Sequence, residues 1–220
     1  MNYKRGVHAA STHEGTTALE LDLPPGLREL KRAEARAPQE AAARQMITLV
    51  NAVGYTSDLR FHPRQRIAWL ESQLRAARSV KDRQYEGSAL GNLGLAHYSL
   101  GDARKAIEFY EQALVIGREI GDRRGEGNAL EGLALSYREL GDTQKGIGYH
   151  EQSLPIYREI GDRRGEGNAL WNSALAHDSL GNRPEAITRA ETALKIYGAI
   201  ENPNAAKVRA ALAKWRTGTP

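Results

Sequence analysis

Apolar residues through the middle of the chain fall into helical stripes punctuated by Gly-Asp pairs. Between Glu126 and Leu140, the residues Ala129, Leu130, Leu133, Ala134 and Tyr137 hold the i, i+3, i+4, i+7, i+8 spacing of one helix face. Gly141 ends that helix with a left-handed cap. Asp142 caps the next one, whose stripe is Ile147, His150, Leu154 and Ile156. The preceding copy of this second helix reads Ala106, Ile107, Tyr110, Ala113 and Leu114. Gly121 and Asp122 close one helix pair and open the next, with Arg123 and Arg124 in the first turn. Positive charge there opposes the helix dipole, so helix stability gives no reason for these arginines.

The pattern repeats at the level of identity. Residues 101–140 and 141–180 align without a gap, and 24 of the 40 positions match, which fixes the period at 40. Arg118 to Leu130 recurs unbroken as Arg158 to Leu170. Residues 61–100 keep the register, with Leu74 over Leu114, Asp82 over Asp122 and Leu93 over Leu133, and 181–200 continue it through Ala186, Ala193, Ile196 and Ile200. Two amphipathic helices cannot bury their stripes alone, so neighbouring units must stack. The predicted fold is all-α: an α-solenoid of stacked helix-turn-helix repeats with one concave face and a C-terminal capping helix.

The array is expected over residues 41–216, as units 41–80, 81–120, 121–160 and 161–200 followed by a cap helix over 203–216. That cap begins at Asn202 and Pro203 and presents Ala205, Val208, Leu212 and Trp215 on one face. The opening unit has diverged: Ala43, Ile47, Val50, Val53 and Gly54 suggest its first helix, and Ile67, Leu70 and Leu74 a second helix starting at Pro63. A short capping helix around Leu27, Leu30 and Ala33 is placed in 25–40, where Pro24, Pro25 and Pro38 fragment the chain, and 1–24 reads as disordered.

Composition narrows the function. The 220 residues contain no cysteine, which excludes a disulfide scaffold, a thiol nucleophile and thiolate-bound zinc or iron-sulfur sites. A 40% hydrophobic and 26% charged chain reads as an ordinary globular protein. It has no bilayer-length apolar run, and Met1 to Glu20 lack a signal peptide's apolar core, so the expected compartment is the cytoplasm. The net charge of +4 gathers in 41–80 and 201–220 around a slightly acidic centre. Nucleic acid needs a basic stripe, so that class of partner is disfavoured, and a membrane partner is not expected.

Catalytic templates fail on residue type. The chain has neither His-Glu-x-x-His nor Gly-x-Ser-x-Gly, and Gly121 to Asn128 lacks the Lys and Ser/Thr of a phosphate loop. His97 and His177 occupy a position that is Tyr137 in the unit between them, which reads as a core slot rather than a metal ligand. Glu111 and Glu151, like Asp122 and Asp162, lie a whole repeat apart, too far for a carboxylate dyad; the aspartates read as helix caps. The Arg123/Arg124 and Arg163/Arg164 pairs read as a solvated stripe. No catalytic, cofactor-binding or metal-ligating residue is expected, and no cofactor.

Leu90, Leu93, Gly94, His97, Gly101, Asp102, Ala106, Tyr110 and Ala113 occupy the signature positions of the tetratricopeptide repeat, which the chain resembles over about residues 41–200. The 40-residue period and the phrase Gly-Asp-Arg-Arg-Gly-Glu-Gly-Asn-Ala-Leu resemble the Leu-Gly-Asn subgroup of spindle-orienting adaptors, and bacterial arrays found alone or fused to signalling ATPases. Pro155 in place of Val115 and Gly146 in place of Ala106 depart from the pattern. A proline inside a helix removes a hydrogen bond and costs about 3 kcal/mol, which makes 121–160 the expected soft unit.

The resemblance implies a ligand groove lined by the first helix of each unit: Asn92, Leu95 and Tyr98; Asn128, Glu131, Leu135 and Arg138; Asn168, Trp171, Asn172 and Leu175. Leu95, Leu135 and Leu175 stand where Leu-Gly-Asn repeats carry their last Asn, and either line the groove or extend the core between first helices. The family's basic clamp for a C-terminal carboxylate has no counterpart. The expected function is a non-catalytic scaffold binding a protein or peptide partner in its groove. Two alternatives are the sensor or adaptor arm of a signalling system whose enzyme lies on another chain, and an RNA-binding helical repeat. The partner's identity and the oligomeric state are not legible.

Overall fold

The computed structural model describes residues 40–42, which are helical, and 63–217. Within 63–217 there are eight helices and no strand: α1 (Pro63–Ser79), α2 (Arg83–Ser99), α3 (Ala103–Ile120), α4 (Arg123–Glu139), α5 (Thr143–Glu159), α6 (Arg163–Ser179), α7 (Arg183–Ala199) and α8 (Asn204–Thr217). α2/α3, α4/α5 and α6/α7 form helical hairpins stacked in chain order, with α1 packed on α2 and α8 on α7. The first helices also touch one another, α2 to α4 and α4 to α6, forming the inner row of an α-solenoid. The helix expected over Ala43 to Gly54, the capping helix around Leu27 to Ala33 and the 1–24 segment lie outside the described residues. No helix among the described residues is long and apolar enough to cross a membrane.

A turn every twenty residues sets the geometry. Gly101, Gly121, Gly141, Gly161 and Gly181 take positive φ between 67° and 88°, and Lys81 (55°) and Glu201 (51°) hold the same conformation at the two ends of the series. After five of these turns an aspartate caps the next helix, Asp82, Asp102, Asp122, Asp142 and Asp162 each accepting the backbone N–H three residues on, whereas Asn182 after Gly181 makes no side-chain cap bond. At the last joint Asn202 Oδ1 accepts the Asn204 N–H at 2.9 Å.

The recurring Arg-Arg-Gly-Glu-Gly-Asn phrase is explained by what packs on it. Glu126 and Glu166, with Glu86 one unit earlier, are buried. Each carboxylate is held between two guanidiniums. Arg118 Nε donates to Glu126 Oε1 at 2.9 Å and Arg123 to Oε2, while Arg123 reaches on to Glu159 at the end of α5, the second helix of its own hairpin. Arg78, Arg83, Glu86 and Glu119 repeat this arrangement, and so do Arg158, Arg163 and Glu166. A second rung runs parallel: Gln84 donates to Asp122 Oδ2 at 3.1 Å and Arg124 to Asp162 Oδ2 at 2.8 Å. The solvated-stripe reading of Arg123 and Arg124 is therefore corrected. Both are half-exposed or exposed, but Arg123 ties α4 to α5 within its hairpin through Glu159, 36 residues away, and Arg124 reaches the next unit through Asp162, 38 residues away, offsets that a search at the repeat period does not reveal.

The flanking glycines make room for rings. A Cβ at Gly127 or Gly165 would press on Tyr157, and one at Gly167 on Tyr197. The tyrosine hydroxyls then reach the asparagine that ends the phrase, Tyr157 to Asn128 Oδ1 at 3.2 Å and Tyr197 to Asn168 Oδ1 at 2.8 Å.

The apolar interior divides in two. One cluster runs from Leu70 and Leu74 through Leu90, Leu93, Tyr110, Leu114, Leu130 and Leu133 to Ile156; the other from Leu154 and Tyr157 through Leu170, Ile196 and Tyr197 to Val208 and Leu212. Polar side chains are buried where they meet. Ser153 stands where other units have Ala113 and Ala193, Ser173 where they have Leu93 and Leu133, and His150 where they have Tyr110 and Ala190. All are bonded: Glu131 Oε1 pairs with His150 Nδ1 at 2.7 Å and accepts from Ser153 at 2.8 Å, and Arg189 donates to Ser173 at 3.1 Å. This seam lies beside α5, which continues through the exposed Pro155.

Three outcomes are expected. Glu126→Ala should cost about 3 kcal/mol by chemical denaturation, the low end for breaking a buried ion pair, because the two arginines left behind reach water. An unchanged midpoint would remove the clasp from the joint. Acid should act on the same rungs. Burial pushes the Glu86 carboxyl up, but hydrogen bonds from Arg78 and Arg83 outweigh it and leave it below the usual range; Arg83 and Arg123 likewise hold Glu119 and Glu159 low. Carboxyls depressed in the folded state stabilise it above their unfolded pKa of about 4.3 and lose that contribution as pH falls through the folded value. The melting temperature should therefore drop as pH is lowered through about 4. Pro155→Val should raise it, by up to about 3 kcal/mol of stability, since the position is exposed and its equivalent Val115 is accepted within α3; a lower melting temperature would mean that α5 packs around the proline.

Candidate functional site: a groove along the first helices

The inner row encloses a groove of about 690 Å³. Its shape follows from two positions that vary between otherwise similar units. The first is 117/157/197. Tyr157 and Tyr197 fill this position in the later units, whereas α3 has Gly117, where a Cβ would lie only 3.1 Å from the Glu126 backbone nitrogen. No ring covers the inner ends of α2 and α3, and the space over Gln84, Ser88 and Ile120 stays open. The second is 91/131/171. Gly91 has nothing within 4 Å of where its Cβ would be, Glu131 presents a carboxylate, and Trp171 lies 5.9 Å from the ring of Trp215 on α8. The groove is open at α2 and polar at α4, while Trp171 packs away from it against the cap.

Of the residues singled out from the sequence, Asn92, Leu95, Asn128, Glu131, Leu135, Asn168 and Asn172 line this groove. Tyr98, Arg138, Trp171 and Leu175 do not. Tyr98 packs against the first core cluster, Trp171 is held by the cap helix in the second, and Arg138 and Leu175 are half-buried off the lining. Leu95 is 43% exposed and Leu135 and Leu175 are half-buried; none of the three belongs to the buried core.

The polar lining has a donor bias. Burial pushes the Tyr157 hydroxyl well above its ordinary value and raises that of Tyr197, so both keep their protons and donate to Asn128 and Asn168. With each Oδ1 engaged, the amide nitrogens of these asparagines are the groups left for a ligand. Glu131 is committed to His150 and Ser153, and its second oxygen lies 3.5 Å from Asn172 Nδ2. Asp122 and Asp162 are tied to caps and inter-unit partners.

The histidines sit off this surface. His97 stacks on Phe109 at 5.2 Å, and Tyr137 on Tyr149 at 5.5 Å in the next unit. In the third hairpin the same slot pairs His177 with Arg189, and burial together with that cation lowers the His177 pKa. Among the described residues no group of three or more His, Asp or Glu side chains could hold a metal ion. Reasoning from the sequence missed Gly117, Gly91, Tyr157, Tyr197, Arg124 and Arg164 as groove determinants. The Gly/Tyr/Tyr and Gly/Glu/Trp alternations are visible in the aligned repeats, but their meaning depends on which helix faces which.

Fold and groove together define a helical-hairpin repeat scaffold. A family model described as tetratricopeptide repeat matches residues 67–119 and 125–199, more than half of the sequence, and the chain belongs to that family. Repeats of this family are protein–protein interaction scaffolds. No curated protein sequence matches the chain. Among solved structures it is similar to a signal transduction ATPase with numerous domains carrying a tetratricopeptide repeat sensor, from Pyrococcus horikoshii, at 20% identity and TM-score 0.70 over 86% of this chain and 29% of that one. It is also similar to a putative kinesin light chain from Podosopora anserina (16%, TM-score 0.61, 81% of this chain and 87% of that one). A third is a Rap protein complexed with competence and sporulation factor (17%, TM-score 0.60, 68% and 42%). The chain spans less than half the length of the first and third, and at these identities the likeness is one of fold.

Proposed function

We propose that the chain is a non-catalytic scaffold that binds a peptide segment of another protein in the groove along α2, α4 and α6. The observation that carries this reading is the pairing of Tyr157 and Tyr197 with Asn128 and Asn168, which leaves amide donors on a surface with few free acceptors. A peptide backbone supplies carbonyl acceptors at regular spacing. Leu95 and Leu135 add an apolar wall for its side chains. The Rap protein complexed with a factor and the ATPase with a sensor array are compatible relatives in fold. An RNA ligand gains no support, because the acidic residues Asp122, Glu131 and Asp162 share the lining with Arg124 and Arg164 and no basic stripe runs along it.

The test separates groove from core. Peptides selected on the full chain from a displayed random dodecapeptide library should lose binding to Leu135→Asn, while the variant's stability stays within about 1 kcal/mol of the parent. A loss of about 2–5 kcal/mol, the range for deleting a core side chain, would assign Leu135 to the interior and deprive the groove of its apolar wall.

A further inference from the structure

The inter-unit rungs are not closed at the last joint. Gln84 spends its amide on Asp122 and Arg124 its guanidinium on Asp162, each reaching the aspartate that caps the first helix of the next unit. Arg164 is the next member of this row, but the residue 38 positions on is Asn202. Its Oδ1 already accepts the Asn204 N–H, and its other terminus is a donor. Arg163 alongside has lost its outer partner too, since Ala199 stands where Glu119 and Glu159 serve the earlier units, but Arg163 keeps Glu166. Arg164 is exposed, lines the groove, and has no acidic partner among the described residues.

We propose that Arg164 is the charge-reading element of the groove and pairs with the carboxylate side chain of an Asp or Glu in the bound peptide. This rests on the peptide-binding reading above. Of the two arginines on the lining, Arg124 is neutralised by Asp162, so the uncompensated positive charge of the groove stands at Arg164. Asn168, one helical turn further along α6, offers its amide nitrogen to the same ligand because Tyr197 occupies its oxygen. A guanidinium fork beside an amide donor matches the two oxygens of a carboxylate. The occupant is thus a peptide with apolar side chains for Leu95 and Leu135 and an acidic residue that meets α6 near its start.

The experiment uses peptides selected from the displayed dodecapeptide library on the full chain, resynthesised with an amidated C-terminus so that a side chain is the source of any carboxylate. Selected peptides should share Asp or Glu at one position, and replacing it with Asn or Gln should weaken binding about tenfold or more. Arg164→Gln should weaken the acidic peptide by the same factor and leave its neutral counterpart unchanged. Asn202→Asp should do likewise without touching Arg164, because it supplies in cis the acceptor that Asp162 gives Arg124. Melting curves of Arg164→Gln should overlay the parent, as this residue holds nothing in the fold. Selected peptides without an acidic preference, or bound equally by parent and Arg164→Gln, would overturn the carboxylate subsite and leave the peptide groove standing. Binding only of peptides with a free C-terminus would also overturn it. If the library yields no binder, both proposals fall.

Discussion

At the joints between α1 and α2, α3 and α4, and α5 and α6 a glutamate is buried between two arginines, and the stacking of the units depends on that clasp. A lone carboxylate at Glu126 would cost several kcal/mol to desolvate. With Arg118 from the preceding helix on one oxygen and Arg123 from its own helix on the other, it becomes a pin between successive hairpins. Arg123 then extends to Glu159, so the pin also fixes α5, the second helix of the same hairpin. Glycine follows from this. The first helix of each unit must approach the second helices on both sides, and Gly127 and Gly167 allow Tyr157 and Tyr197 to lie against the backbone. The clasp is charged, yet it specifies geometry more than it adds stability, since the guanidiniums remain in contact with water.

Once the joints are fixed, functional variety has to come from positions outside them. Gly117 against Tyr157 and Tyr197 opens a space at α2, and Gly91 and Glu131 grade the groove from open to polar, while Trp171 is taken up by the cap. Arg118 to Leu130 and Arg158 to Leu170 are identical in sequence but not in surroundings. Asn128 and Asn168 each receive a tyrosine hydroxyl from the second helix of their own hairpin, whereas in the first hairpin Gly117 stands in the tyrosine's place and Ser88 bonds back to the Gln84 carbonyl. A groove of uneven width and polarity results from a regular scaffold.

The fold was legible because its causes are local in sequence. Apolar spacing gave the helices, Gly121 and Asp122 gave a turn and a cap, and the 40-residue identity required stacking. The stripe Ala205, Val208, Leu212 and Trp215 does lie on the last hairpin. The site was only partly legible, because a groove is defined by relations between units. Asn92, Asn128 and Asn168 were found from register, and they line the surface. Trp171 shares that register but is claimed by Trp215, a residue of the cap that belongs to no repeat. The arginines were misread for a related reason. Their acceptors lie at offsets of 36 and 38, and a positive charge in the first turn of a helix makes sense only once the neighbouring acid is in view.

The ends and the seam show where a repeated design stops satisfying itself. Internal turns carry glycine in the left-handed conformation, but Lys81 and Glu201 adopt it without that freedom, at a cost of about 1 kcal/mol each. At the seam, Ser153, Ser173 and His150 replace apolar neighbours, and Glu131 is drawn inward to bond two of them. That contact ties a groove residue to the boundary between the two core clusters, so a ligand touching Glu131 meets the least apolar part of the interior. At the C-terminal joint the apolar requirement is met by Trp171 and Trp215, while the electrostatic one is not. The rung ends at an asparagine already engaged in capping. A scaffold whose charges pair by reaching forward one unit must leave its last donor without an acceptor wherever the next unit is replaced by a cap. Here that donor is Arg164, and it falls on the groove rather than on the outer face.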